Sequence, residues 1–145
     1  MRVASRAERI EPFYVMEMAK AAAALAPQVA NTDAPMLFLN IGEPDFTAPP
    51  LVQEAAERAI RESRTQYTSA LGLPALRERL SDWYRQHFGL QVPASRIIVT
   101  AGASAALHLA CLALLEAGDE VLLPNPTYPC NRQFVHAADG ICTLL

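Results

Sequence analysis

Lysine is nearly missing from this chain: Lys20 is the only one among 145 residues. Its basic residues are otherwise arginines, and the formal net charge is −3. The charges are scattered rather than blocked, which leaves no basic footprint for nucleic acid. Cysteine is scarce and odd in number: Cys111, Cys130 and Cys142 show no metal-ligand or redox spacing. Each falls inside an expected element and reads as a small buried hydrophobe of a reduced, cytoplasmic compartment. The opening MRVASRAERIEPF carries arginines but no apolar run, so no secretory signal is expected. Neither GxGxxG nor GxxxxGK[ST] occurs, which removes the dinucleotide fingerprint and the P-loop. There are no repeats, and the alanine run at 21–24 is the only biased tract.

What is present is apolar and periodic. A 52% hydrophobic fraction excludes disorder, and the length is enough for one domain with a sizeable core. Helical and strand patterns alternate, which predicts an α/β class. Ile97 to Leu115 contains no charged residue and is about long enough to span a bilayer. Thr100, Gly102, Ser104 and His108 interrupt it, and its front is β-branched. A buried strand and helix account for the same hydropathy, so no membrane span is expected.

Residues 11–26 predict a helix with Pro12 near its first turn and Pro27 as its end, with Glu17 and Lys20 facing solvent. Met36 to Ile41 predicts a short buried strand. Gly42 to Pro50 is an ordered loop with Thr47 as a helix cap, and a helix follows over 50–63. Residues 64–72 form a second loop. A helix over 73–88 places Leu73, Leu76, Leu80 and Trp83 at core spacing, with Gly89 closing it. Then come a strand over 96–100, a helix over 103–117, a strand over 121–123 and a loop over 124–129. A helix over about 130–138 and a strand over 141–145 finish the chain. It stops inside that strand, where a domain boundary is not expected, so the reading is of a truncated sequence.

The order strand, Gly102, helix is the chemically informative one. A helix N-terminus presents unpaired N–H groups and partial positive charge, an anion site that most often takes phosphate. Gly102 permits close backbone approach, Ala103 follows, and Ser104 adds a hydroxyl; an ordinary strand-to-helix turn with a capping serine is an equal reading of these three. Tyr128 stands in a proline-braced loop past the C-terminal end of a strand, the edge where open α/β sheets bind ligands. It offers either a stacking face or a packing ring. Tyr67 is a loop tyrosine, either a hydrogen-bond donor or a packing residue. His108 reads as a satisfied core histidine, and His87 and His136 as surface or boundary residues. Glu43 and Asp45, separated by Pro44, read as local caps.

Four motifs carry a resemblance: NIGEPDF at 40–46, YTSALGLPALRERL at 67–80, IIVTAGASAAL at 97–107 and GDEVLLPNPTYP at 118–129. With them the chain resembles the N-terminal part of class I/II pyridoxal-phosphate-dependent aminotransferases of fold type I, over roughly residues 8–145. The resemblance implies the first part of a three-layer α/β/α large domain with an incomplete sheet, preceded by a helical arm. Residues 1–45 would be the arm and the start of the small domain, and 46–145 the first half of the cofactor-binding domain.

The implied cofactor is pyridoxal 5'-phosphate. Gly102, Ala103 and Ser104 would hold its phosphate, and Tyr128 would stack on its ring. Tyr67 would reach the phosphate of a neighbouring subunit's cofactor, in a homodimer. Gly42 would lie beside the substrate carboxylate, the substrates being an amino acid and a 2-oxo acid. No catalytic residue is implied within the chain. The family's Schiff-base lysine comes later in a full-length member, and Lys20 belongs to none of the motifs. Two other readings stay open: a fold type I lyase or synthase (C–S lyase or aminocyclopropane-carboxylate synthase-like), and a non-catalytic protein that binds a phosphate ligand.

Overall fold

Parallel strands need a crossover of a dozen or so residues, and one such crossover organises the C-terminal part of this chain. The computed structural model describes residues 2–145. The chain divides into two compact units, Met1–Pro44 with Ser104–Leu145, and Asp45–Ala103. The class is α/β, helical with a small parallel sheet.

In the first unit, β1 (Glu120–Leu123) pairs in parallel with β2 (Ile141–Leu144), Glu120 opposite Ile141 and Leu123 opposite Leu144. The helix between them, Pro129–Ala137, packs on both strands. Val135 on this helix and Ala138 just after it form the buried core, and Val135 is 2% exposed. Pro129 stands at the first helical position, where its missing N–H would have had no partner. The helix ends at a left-handed Asp139 (φ 59°) followed by Gly140. The Gly140 N–H donates to the Val135 carbonyl at 2.9 Å, and a Cβ there would stand 2.8 Å from Val135 Cγ1.

A one-turn helix, α1 (Ser5–Glu8), lies against this crossover helix and has no counterpart in the sequence pattern, being too short to show a period. Arg6 and Arg9 both reach Asp139, at 3.4 and 2.5 Å. The Glu11 N–H donates to Gln133 Oε1 at 3.3 Å. The next helix, α2 (Tyr14–Val29), starts three residues later than predicted and runs through Pro27. Proline clashes with what precedes it and lacks a donor, but its own φ is helical, so Gln28 and Val29 still complete the last turn. Lys20 pairs with Glu17 at 2.7 Å on the exposed side, as predicted.

The strand predicted over Met36 to Ile41 does not form. A strand needs a ladder partner for its backbone groups, and no described strand runs beside it. Leu37 and Leu39 are instead 77% and 91% exposed.

The second unit holds α3 (Pro50–Arg61), α4 (Pro74–Phe88) and a 3-10 turn at Ala94–Arg96. Thr47 does not cap α3; the cap position falls on Pro49, which has no polar side chain, and Gln53 Nε2 donates to the Ala48 carbonyl at 2.6 Å. The helix stops two residues short of the prediction because Ser63 turns left-handed at φ 57°. Gly89 closes α4 at φ 66°, as predicted. Trp83 is 44% exposed rather than core, because its ring is taken by the aromatic face of its own helix. It stacks on His87 at 4.8 Å and meets Phe88 and Tyr84 edge-on at 5.1 and 5.4 Å.

The strand predicted over 96–100 also lacks a ladder. Arg77 holds this segment from α4 instead, with Nε donating to the Ile97 carbonyl at 2.9 Å and Nη2 to that of Ala94 at 2.6 Å. The Val99 N–H donates to the Leu71 carbonyl at 3.1 Å. Gly72 sits beside Val99 at φ 95°, where a Cβ would stand 2.6 Å from Val99 Cγ2.

The chain then enters α5 (Gly102–Leu114), three residues shorter at its end than predicted. Beyond it Asp119 turns the chain, accepting the Glu116 N–H on Oδ2 at 2.8 Å. His108 is exposed on α5 and stacks over Phe134 at 6.1 Å, so it is no core histidine. The three cysteines are free and only half-buried, because the described core is confined to Val135 and Ala138. Among the described residues, no helix is long and apolar enough to cross a membrane.

Candidate functional site

The start of α5 has the geometry of an anion cradle. Gly102 adopts φ 81°, a conformation that suits glycine, and beyond its chain neighbours and its own helix backbone no atom lies within 4 Å of where its Cβ would be. Thr100 braces the turn from both sides: its carbonyl accepts the Gly102 N–H at 2.9 Å, and its Oγ1 donates to the Gly102 carbonyl at 2.9 Å. The next N–H groups, of Ala103 and Ser104, have no carbonyl one turn earlier to bond within the helix. Both residues are exposed. An open backbone approach, exposed donors and an adjacent hydroxyl fit a phosphate group.

Tyr128 and Gly42 come together in the first unit. They line one cleft of about 450 Å³ with Phe13, Val15, Met16 and Ile41. Beyond its chain neighbours, Gly42 has no atom within 4 Å of its Cβ position, so this side of its backbone faces open space. Asn40 also lines the cleft, and its Nδ2 donates to the Val15 carbonyl at 3.4 Å. Tyr128 precedes the first turn of the crossover helix, α6 (Pro129–Ala137). Its carbonyl accepts the Asn131 N–H at 3.0 Å, and Asn131 Nδ2 donates to Thr127 Oγ1 at 3.1 Å.

These bonds fix the loop that follows β1. The Phe13 ring stands nearly perpendicular to that of Tyr128 at 5.9 Å, while Tyr128 keeps 53% of its surface exposed. The Cys130 thiol raises the Tyr128 phenol above its ordinary value of 10.0, first by hydrogen bonding, then by charge, with burial a smaller cause. The ring therefore stays neutral across the physiological range and offers an uncharged face.

Tyr67 belongs to the second unit, on the loop before α4, where it is fully exposed beside Thr65 and Gln66. Glu43 and Asp45 are exposed and make no side-chain cap on α3. The sequence reasoning missed Phe13, Val15, Met16, Asn40 and Ile41 as walls of a cleft. Phe13 and its neighbours were absorbed into a helical period that in fact begins at Tyr14. An aromatic residue directly after Pro12 and outside that period was the available signal.

Residues 34–142 match the family described as aminotransferase class I and II. A probable aspartate aminotransferase of Methanocaldococcus jannaschii is 38% identical over 138 residues, covering 95% of this chain and 34% of that protein. A valine–pyruvate aminotransferase of Mycobacterium tuberculosis is 37% identical over 136 residues, covering 94% of this chain and 34% of that one. In structure, an aspartate aminotransferase of Thermus thermophilus (a single mutant) superposes with a TM-score of 0.89 at 34% identity, over 100% of this chain and 37% of the other. The chain thus spans about a third of the length of the curated relatives it matches. Its fold is that of the corresponding part of fold type I aminotransferases. With a match across more than two thirds of its residues, this chain belongs to the aminotransferase class I and II family.

Proposed function

We propose that this chain supplies part of a pyridoxal 5'-phosphate site in an enzyme that moves an amino group from an amino acid to a 2-oxo acid. The open, donor-rich start of α5 at Gly102 is the observation that carries this reading. The N–H groups of Ala103 and Ser104, with the Ser104 hydroxyl, bind the phosphate at the positive end of the helix. Tyr128 stacks its neutral face on the pyridine ring and orients it. Gly42, without a side chain, lets the substrate carboxylate lie against the backbone. Tyr67, exposed on its loop, reaches the phosphate bound by a second subunit, so the working form is a homodimer in the cytoplasm. The cofactor, when bound, supplies an electron sink for the carbanion formed at the substrate α-carbon.

Cofactor binding by the protein expressed from its complete reading frame tests this reading. Titration with pyridoxal 5'-phosphate, followed by absorbance, is expected to give saturable binding. Ser104→Ala is expected to weaken it by roughly ten- to a hundredfold, as for one lost charge-assisted hydrogen bond. Tyr128→Ala is expected to weaken it by roughly three- to tenfold. Unchanged affinity in both variants would remove Ser104 and Tyr128 from the site.

A further inference from the structure

We propose that Asn131 is a positioning residue: tied to Thr127, it holds Tyr128 in the orientation that stacking on the cofactor ring requires. The inference rests on the aminotransferase reading above and deepens it, adding a residue that acts through Tyr128 rather than on the cofactor itself.

Tyr128 stands at the cap position of α6, with φ −61° and ψ 124°. A serine or aspartate there would tie itself to the first turn through its own side chain. A tyrosine cannot, and no such side-chain bond forms. The direction of its ring is therefore set by how firmly the neighbouring residues hold its backbone. Pro129 supplies one restraint, because a residue before proline is kept out of the helical region and in the extended one.

Asn131 supplies two more. Its N–H donates to the Tyr128 carbonyl at 3.0 Å, and its Nδ2 donates to Thr127 Oγ1 at 3.1 Å. The second bond runs from one side of Tyr128 to the other, so residues 127–131 close into a loop with Tyr128 inside it. Both partners are half-buried, where water competes less for the bond, whereas Tyr128 is 53% exposed. A fixed frame thus carries an open ring, and the frame is complete within five consecutive residues.

A double-mutant cycle on the protein from the complete reading frame tests this. It is read by the dissociation constant of pyridoxal 5'-phosphate and by the circular dichroism of the bound cofactor in its visible band. Asn131→Ala removes the side-chain bond and places the best helix former in the first turn of α6, so the helix is retained. It is expected to weaken binding about two- to fivefold and to diminish the dichroism per bound cofactor. Thr127→Val removes the other partner at nearly equal shape and is expected to cause the same loss, with the two together no worse than either alone. Asn131→Asp, whose carboxylate accepts from the Thr127 hydroxyl, is expected to restore both readings. In a Tyr128→Ala background, Asn131→Ala is expected to leave the affinity unchanged.

An equal loss in the Tyr128→Ala background overturns the inference, because Asn131 then serves the helix and not the ring. Full affinity and full dichroism in Asn131→Ala, with binding weakened in Tyr128→Ala, overturn it while the aminotransferase reading stands. Full affinity in Tyr128→Ala removes the stacking role itself, and the inference falls with it.

Discussion

Single residues in this chain are set by what lies within a few ångströms of them, and Cys142 illustrates the consequence. Burial raises its thiol above the ordinary value of 9.0, and nearby Cys111 adds to the rise while Arg132 opposes it. The fold therefore favours the protonated thiol. Below pH 9 both folded and unfolded chains hold the proton, and stability is unaffected. Above it the unfolded chain loses its proton first, so stability falls until the pH passes the raised folded value. Urea midpoints of the intact protein are expected to drop more steeply above pH 9 than those of Cys142→Ala; parallel profiles would contradict this.

At the same scale, residue chemistry was legible where it depended on neighbours in sequence. Gly89 as a helix stop, Gly102 as an open turn and the exposure of Glu17 and Lys20 all followed from local spacing. Trp83 and His108 did not. An apolar period says which residues share a face, and not whether anything covers that face. In this structure Trp83 and His108 are exposed, and each stacks on one aromatic ring, His87 and Phe134 respectively.

Elements divide along the same line. Helices carry their own hydrogen bonds, so periodicity and caps located α2, α3, α4, α5 and α6 to within a few residues. Strands borrow theirs. Glu120–Leu123 and Ile141–Leu144 formed because each has the other, while residues 36–41 and 97–100 stayed irregular with equally β-branched or apolar sequences. The 97–100 segment is held by contacts that sequence patterns do not encode, chiefly Arg77 and the approach of Gly72 to Val99. Gly72→Ala combines a left-handed φ with a 2.6 Å contact to Val99. It is expected to destabilise the intact protein by about 1–3 kcal/mol. A chemical-denaturation midpoint shift with an unchanged slope is the measurement, and a shift below roughly 0.5 kcal/mol would show that the Leu71–Val99 contact is dispensable.

For the molecule as a whole, the motifs singled out Gly42 and Tyr128 separately, and only the fold brings them to one cleft. The N-terminal segment contributes Phe13 to the same cleft, just ahead of α2. That segment is fastened along α6 at three places of different character. Arg6 and Arg9 reach Asp139 at the C-terminal end of the helix, Glu11 bonds to Gln133, and Phe13 rests against Tyr128 at the start.

The arginine end is exposed and ionic, so salt screens it; the phenylalanine end is apolar, so salt leaves it in place. Rising ionic strength should therefore peel the segment from one end only. Tryptic cleavage after Arg9 is expected to accelerate between low salt and about 1 M sodium chloride, where the screening length falls to roughly 3 Å. Equal acceleration at Arg9 in Asp139→Asn would contradict ionic fastening. The N-terminal segment of this chain is thus a zipper with one soluble tooth, opening at Asp139 before it disturbs the Phe13–Tyr128 contact.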